Sequence, residues 1–159
     1  QIVKNISHNF GEPVIGYNGE TFYTFPDPEV LNEVSEEALR ECKMGFRAPY
    51  IKNACKAYTD GCLDEDILRT APIDEARQVL MQIKGVGEKV ANCVLLFGLG
   101  RREAFPVDVW MKRICEQMYF EGKDTKKSVI EEFAVKRFGE YGGYAQQYLF
   151  DYARNNLNL

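Results

Sequence analysis

The sequence predicts an all-α fold with one small hairpin near its start. Three observations carry that prediction. Apolar residues recur at helical spacing through most of the chain after residue 28, and glycines and prolines separate those runs at short intervals. The one aromatic-rich stretch before them is interrupted by an Asn-Gly pair, a hairpin signal. With 159 residues, 45% hydrophobic and 28% charged, the chain has the composition of an ordinary globular protein with one substantial core.

The elements follow in order. Ile2, Ile6 and Phe10 set a first helix that begins at once, and Gln1 rather than Met precedes it. We therefore expect the back part of a longer protein. Residues 14–25, "VIGYNGETFYTF", form the hairpin and "FPDP" at 25–28 ends it. Helices are predicted over 28–34, 35–43, 48–59 and 64–69, with Ser35 as an N-cap followed by first-turn acids. Pro49 and Pro72 stand where a first turn tolerates proline. Further helices are predicted over 72–81, 87–98, 108–120, 125–138 and 143–156, with Asp108 and Asp124-Thr125 as start signals.

Composition removes several classes of function. No apolar run approaches the roughly 20 residues of a membrane helix, and the first ten residues form no signal-peptide block. The five cysteines, at 42, 55, 62, 93 and 115, have neither disulfide-framework nor zinc spacing, and His8 is the one histidine. Reduced thiols inside a cell are expected, four of them as small buried apolar residues. The net charge is −4, but it is unevenly placed: residues 20–41 hold seven acids against Arg40, whereas residues 84–113 hold six cations against three acids. Polyanion binding needs only a local basic surface. Charge alone would favour two ordinary solvated faces.

The stretch "VLMQIKGVGEKVANCVLLFGLG", 79–100, reads as helix, tight turn, helix. Gly85 and Gly87 are expected in backbone conformations closed to other residues. The turn would leave N–H groups at the second helix start free to grip a phosphate. Met81, Ile83 and Val86 would pack beneath it, with Lys84 above. A purely structural helical hairpin has the same pattern. Lys89 then stands just inside the second helix, where the macrodipole disfavours a cation by about 0.3–1 kcal/mol. That field favours the neutral amine, the form that attacks carbon and makes a Schiff base. A lysine that snorkels into solvent is the bland alternative. In "AFPVDVWMKR", 104–113, Asp108 at a helix start is either an ordinary N-cap or a carboxylate held ready to stabilise positive charge.

Taken together, "IKGVGEKVANCVLLFGL" and "PVDVWMKR" resemble the helix-hairpin-helix, Gly/Pro-Asp signature of base-excision DNA glycosylases. The subgroup most similar is the 8-oxoguanine DNA glycosylases, which "KMGFRAPYI" (43–51) and "GGYAQQYLFDYA" (142–153) also match. Four ordered motifs across nearly the whole chain are specific where each alone is weak.

The resemblance implies roles. Lys89 would attack the deoxyribose C1′ and Asp108 would stabilise the oxocarbenium-like transition state. Cys93 and Phe150 would sandwich a flipped base while Gln146 reads its Watson–Crick edge. Phe46 would wedge into the stack and Arg47 would hold the orphaned cytosine. Lys84, Gly85, Gly87 and Trp110 would contact DNA. Backbone carbonyls of Met81, Ile83 and Val86 would bind K⁺ or Na⁺; no other cofactor is required, and no iron–sulfur cluster is expected.

Trp110 departs from the histidine of eukaryotic members and hints at a bacterial-type branch. The family's N-terminal sheet domain and an Asn-containing segment have no counterpart in these residues. The expectation is a bifunctional glycosylase/AP lyase acting as a monomer on double-stranded DNA, away from membranes, in the cytoplasm if bacterial and the nucleus if eukaryotic. Three alternatives stay open: a lysine-dependent glycosylase for another oxidised base, a non-catalytic DNA-binding hairpin module, and a helical protein–protein module.

Overall fold

The computed structural model describes residues 1–156, which divide into two compact units. The first comprises residues 1–64 with 83–85; the second comprises 65–82 and the chain from 86 onward. The single core expected from length is replaced by two buried clusters, one in each unit.

In the first unit, α1 (Ile2–Phe10) is followed by strands β1 (Pro13–Ile15) and β2 (Thr21–Tyr23). They pair antiparallel with Val14 opposite Phe22, and Gly19 takes φ +81 in the connecting loop. Then come α2 (Pro28–Glu33), α3 (Glu36–Leu39) and α4 (Ala48–Thr59). Ile6, Leu31, Leu39, Cys42, Met44, Ala48 and Cys55 form the core here. Burial of each large apolar side chain contributes about 1.5–3 kcal/mol. Lys52 in α4 donates to the carbonyls of Leu31 (3.3 Å), Asn32 and Val34 (2.7 Å), closing the end of α2. Ser35 Oγ accepts from the Ala38 amide at 3.2 Å, as its N-cap reading requires.

One predicted helix is interrupted. The 35–43 segment leaves α-helical geometry after Leu39, and Lys43 adopts φ +66. A 3₁₀ turn over Gly45–Arg47 follows before α4 begins. A left-handed lysine ends the helical ladder however good the upstream periodicity, and the break delivers Phe46 and Arg47 to the surface.

The second unit contains α5 (Glu65–Thr70), α6 (Ile73–Met81), α7 (Glu88–Cys93), α8 (Val109–Tyr119), α9 (Lys127–Phe138) and α10 (Gly142–Asn156). Helix α7 widens into a π turn over Val94–Gly98, with the Leu99 amide reaching back to the Val94 carbonyl at 3.1 Å. Phe105, Val107, Met111, Ile114, Cys115, Ile130, Ala134 and Ala153 make the core, extended by Phe120, Phe138 and Leu149. Among the described residues no helix is long and apolar enough to cross a membrane.

Several expectations are corrected. Asp124 is no cap: α9 starts from Lys126 without a side-chain cap, and Asp124 pairs with Lys112 instead. Three cysteines are buried rather than four; Cys62 is exposed and Cys93 half-buried. Of the hairpin's apolar trio only Ile83 is buried, while Met81 is exposed. The basic segment is also thinner than its sequence. Arg101 donates to the Leu68 and Ala71 carbonyls at 2.9 Å each, closing α5, and pairs with Glu103. Arg102 pairs with Glu140, and Lys112 with Glu116 and Asp124.

Candidate active site

The hairpin turn is built around a missing side chain. Gly85 has φ +102, and a Cβ there would lie 2.4 Å from Tyr50 Cγ, so both backbone and packing require glycine. Asn53 Nδ2 donates to the Lys84 carbonyl at 3.3 Å, and Lys84 itself stays exposed. Gly87 is different. Its φ of −97 and ψ of 176 are open to any residue, and a Cβ would meet nothing within 4 Å. The expectation that its backbone needs glycine is therefore wrong. It is the N-cap of α7, and no side chain caps that helix start. The first amides of α7 are left to an external acceptor.

Lys89 is the second residue of α7 and is exposed. Among the described residues its ammonium has no hydrogen-bond or ion-pair partner. Cys93, one turn further, shares its face. Asp108 is half-buried at the start of α8, and its Oδ1 accepts from the Met111 amide at 2.8 Å. The other carboxylate oxygen accepts no hydrogen bond from the described residues. The cap and the chemical reading of Asp108 thus use different oxygens. Trp110 is 50% exposed, with the Arg113 guanidinium 5.6 Å from its ring centroid.

Gln146 and Phe150 lie on α10, whose start is pinned by glycine. The Gly143 amide donates to the Arg102 carbonyl at 2.7 Å, and a Cβ on Gly143 would lie 2.4 Å from Leu96 Cδ1 and 2.7 Å from the Ala104 carbonyl oxygen. Close approach here sets Gln146 one turn along. Gln146 is 7% exposed. Its Oε1 accepts from Gln147 Nε2 at 2.5 Å, while its own amide nitrogen donates to none of the described residues. Phe150 is 36% exposed, against the core position that a helical phenylalanine usually takes.

Lys89, Cys93, Asp108, Trp110, Gln146 and Phe150 all belong to the second unit; Phe46, Arg47, Lys84 and Gly85 belong to the first. Phe46 is 67% exposed, and Arg47 lies 4.6 Å over its ring with no acid partner among the described residues, so the surface ion-pair reading of Arg47 finds no support there. Sequence reasoning missed a polar cluster between α6, α7 and α9, in which Arg77, Glu88 and Glu131 surround the buried Asn92. Burial, reinforced by Glu88 beside it, pushes the Glu131 carboxyl up to about 7. Only the i, i+4 spacing of Glu88 and Asn92 hinted at a shared face.

Residues 1–138 match the HhH-GPD superfamily of base excision DNA repair proteins, and the chain belongs to that family. Within it, the chain is 38% identical over 161 residues to a probable N-glycosylase/DNA lyase of Methanothermobacter thermautotrophicus, covering 88% of this chain and 50% of that protein. Among solved structures it is similar to MBOgg1, determined with a low affinity DNA ligand: TM-score 0.90, 41% identity, 97% of this chain and 53% of that one. It is also similar to the Clostridium acetobutylicum 8-oxoguanine glycosylase/lyase, determined on double-stranded DNA with cytosine opposite 8-oxoG. The values there are TM-score 0.89 and 36% identity, over 98% of this chain and 53% of that one. The chain therefore spans about half the length of the relatives it matches.

Proposed function

We propose that this chain carries the catalytic part of a bifunctional glycosylase/AP lyase that removes 8-oxoguanine from duplex DNA. One observation supports this above the rest. In a chain of the HhH-GPD family, an exposed lysine without a partner among the described residues stands in the first turn of the hairpin's second helix.

The chemistry follows from these groups. A base inside a duplex is out of reach, so it must be flipped into a pocket. Cys93 and Phe150 flank it, and the Gln146 amide meets its hydrogen-bonding edge. The Lys89 amine, once deprotonated, attacks C1′; the glycosidic bond breaks, and its electron pair leaves with the base, which takes up a proton. Asp108 stabilises the positive charge that builds on the sugar. One amine proton goes to the departing base; the C1′–O4′ bond then breaks, O4′ takes its electron pair and the second amine proton, and an imine is left between Nζ and C1′. Removal of a C2′ proton then expels the 3′ phosphate by β-elimination.

Phe46 fills the vacated stack, and the Arg47 fork holds the orphaned cytosine. Lys84, Trp110 and the uncapped amides beyond Gly87 take phosphates. By the family resemblance, the backbone carbonyls of Met81, Ile83 and Val86 would take a hard monovalent cation, K⁺ or Na⁺.

A panel of duplexes tests the substrate. The product of the complete reading frame should release base fastest from 8-oxoguanine opposite cytosine. Preference for an oxidised pyrimidine would transfer the site to another lesion. Duplex binding without any base release would make the chain a binding module. No salt-sensitive duplex binding at all would remove DNA from the account.

A further inference from the structure

Asn92 and Gln146 are the buried polar residues among the described part of the chain, and Asn92 is only 1% exposed. The reaction above does not use it. Its Oδ1 accepts from Arg77 Nε at 3.1 Å, a bond that ties α7 to α6. The same guanidinium lies 3.7 Å from Glu88 on α7 and 3.0 Å from Asp74 on α6, and Arg77 is 19% exposed. Beside it a cavity of about 240 Å³ is lined by Arg77, Asn92, Phe105 and Glu131.

Glu88 and Asn92 are one turn apart on a single face of α7. Lys89 and Cys93 occupy the next positions, about 100° around the same helix. A planar guanidinium that hydrogen-bonds Asn92 through Nε and pairs with Glu88 at 3.7 Å through another nitrogen opposes rotation of α7 about its axis more than a single point charge would. Loss of that guanidinium would leave the buried Asn92 acceptor unsatisfied, so the helix would be free to turn toward a new partner.

We propose that Arg77 is a positioning residue: by gripping Glu88 and Asn92 it sets the rotation of α7 and hence the direction in which Lys89 and Cys93 face. The proposal rests on the reading of Lys89 as the nucleophile. Arg77 lies outside the set of residues placed against DNA or the flipped base, so its effect should appear in the chemical step rather than in binding.

Single-turnover borohydride trapping on saturating lesion duplex, with duplex affinity measured in parallel, provides the test in the complete protein. Arg77→Met should slow trapping about tenfold or more, since a small misplacement of a reacting group has large kinetic effects, while duplex Kd stays within about twofold. Arg77→Lys should be slow as well, because an ammonium cannot fork. Asn92→Asp, which preserves an acceptor for Arg77, should trap within about threefold of wild type. Wild-type trapping with unimpaired Arg77→Met overturns the clamp alone. So does a loss that merely tracks a lower folded fraction or weaker duplex binding. Absence of trapping by the wild-type protein sinks the functional reading, and this inference with it.

Discussion

Helix α7 begins at Gly87 with no side-chain cap and a lysine in its first turn, whereas α8 begins at Asp108, whose carboxylate already closes the Met111 amide. Both helix starts lie in the same unit, and both present positive backbone charge. One adds a cation and leaves its amides to an outside acceptor. The other adds an anion and satisfies one amide internally. A folding requirement explains the second arrangement fully and the first not at all. A serine or aspartate at position 87 would cap α7 without steric conflict, since a Cβ there meets nothing. The uncapped start, with a lysine unpaired among the described residues, is the part of the molecule that needs a function to account for it.

Substitutions at the two starts sharpen this contrast. The largest effect short of losing the lysine is expected at Asp108. Asp108→Asn keeps a capping oxygen, so thermal stability should hold, while single-turnover base release falls by about 10²–10³-fold, the range for removing a group that stabilises transition-state charge. Asp108→Ala should lose the same chemistry and in addition about 0.5–2 kcal/mol of stability. Equal rates for Asp108→Asn and wild type would reduce Asp108 to a cap.

A smaller effect concerns the acid behind α7. The Glu131 carboxyl is pushed from 4.5 to about 7, first by burial and then by Glu88. The folded protein holds this proton more tightly than the unfolded chain does. Stability from this group is therefore complete below its unfolded pKa and is lost as pH rises through about 7. Thermal unfolding should show Tm declining across that window in the wild-type chain, and Glu131→Gln should flatten the decline. An unchanged slope in the variant would assign the pH dependence to other groups.

The smallest effect is at Gly87. Gly87→Ser should raise stability by only a few tenths of a kcal/mol, the usual gain for serine over glycine at an N-cap. It should nevertheless weaken duplex binding, because the new hydroxyl takes an amide otherwise open to phosphate. Unfolding and duplex titration on one sample would report both, and stronger duplex binding by the variant would contradict the phosphate role of this helix start.

Much of the fold was legible because its helices obey local rules. Ser35 and Asp108 cap as their residue type predicts, and α4 spans residues 48–59 as periodicity placed it. The break at Lys43 was not legible, since a left-handed lysine carries no sequence signal. Nor was the role of Arg101, which looked like part of a basic surface but closes α5 from a mostly buried position. Charge along a chain does not reveal which cations are already paired. For the candidate site, sequence reasoning gave positions that the structure shares, Lys89 in the first turn of α7 and Asp108 at the start of α8. The site was opaque where packing decides, as with Asn92 and with Gly143, whose missing Cβ seats α10 against Leu96.

The claim on which the rest depends is that Lys89 forms a covalent imine with the sugar of a damaged nucleotide. Borohydride reduction during turnover on 8-oxoguanine duplex, followed by peptide mapping of the cross-linked protein, measures that directly. The account predicts one adduct, on Lys89, that disappears in Lys89→Gln while duplex affinity changes little. An adduct on a different lysine, or undiminished cross-linking in the Lys89→Gln protein, would contradict it.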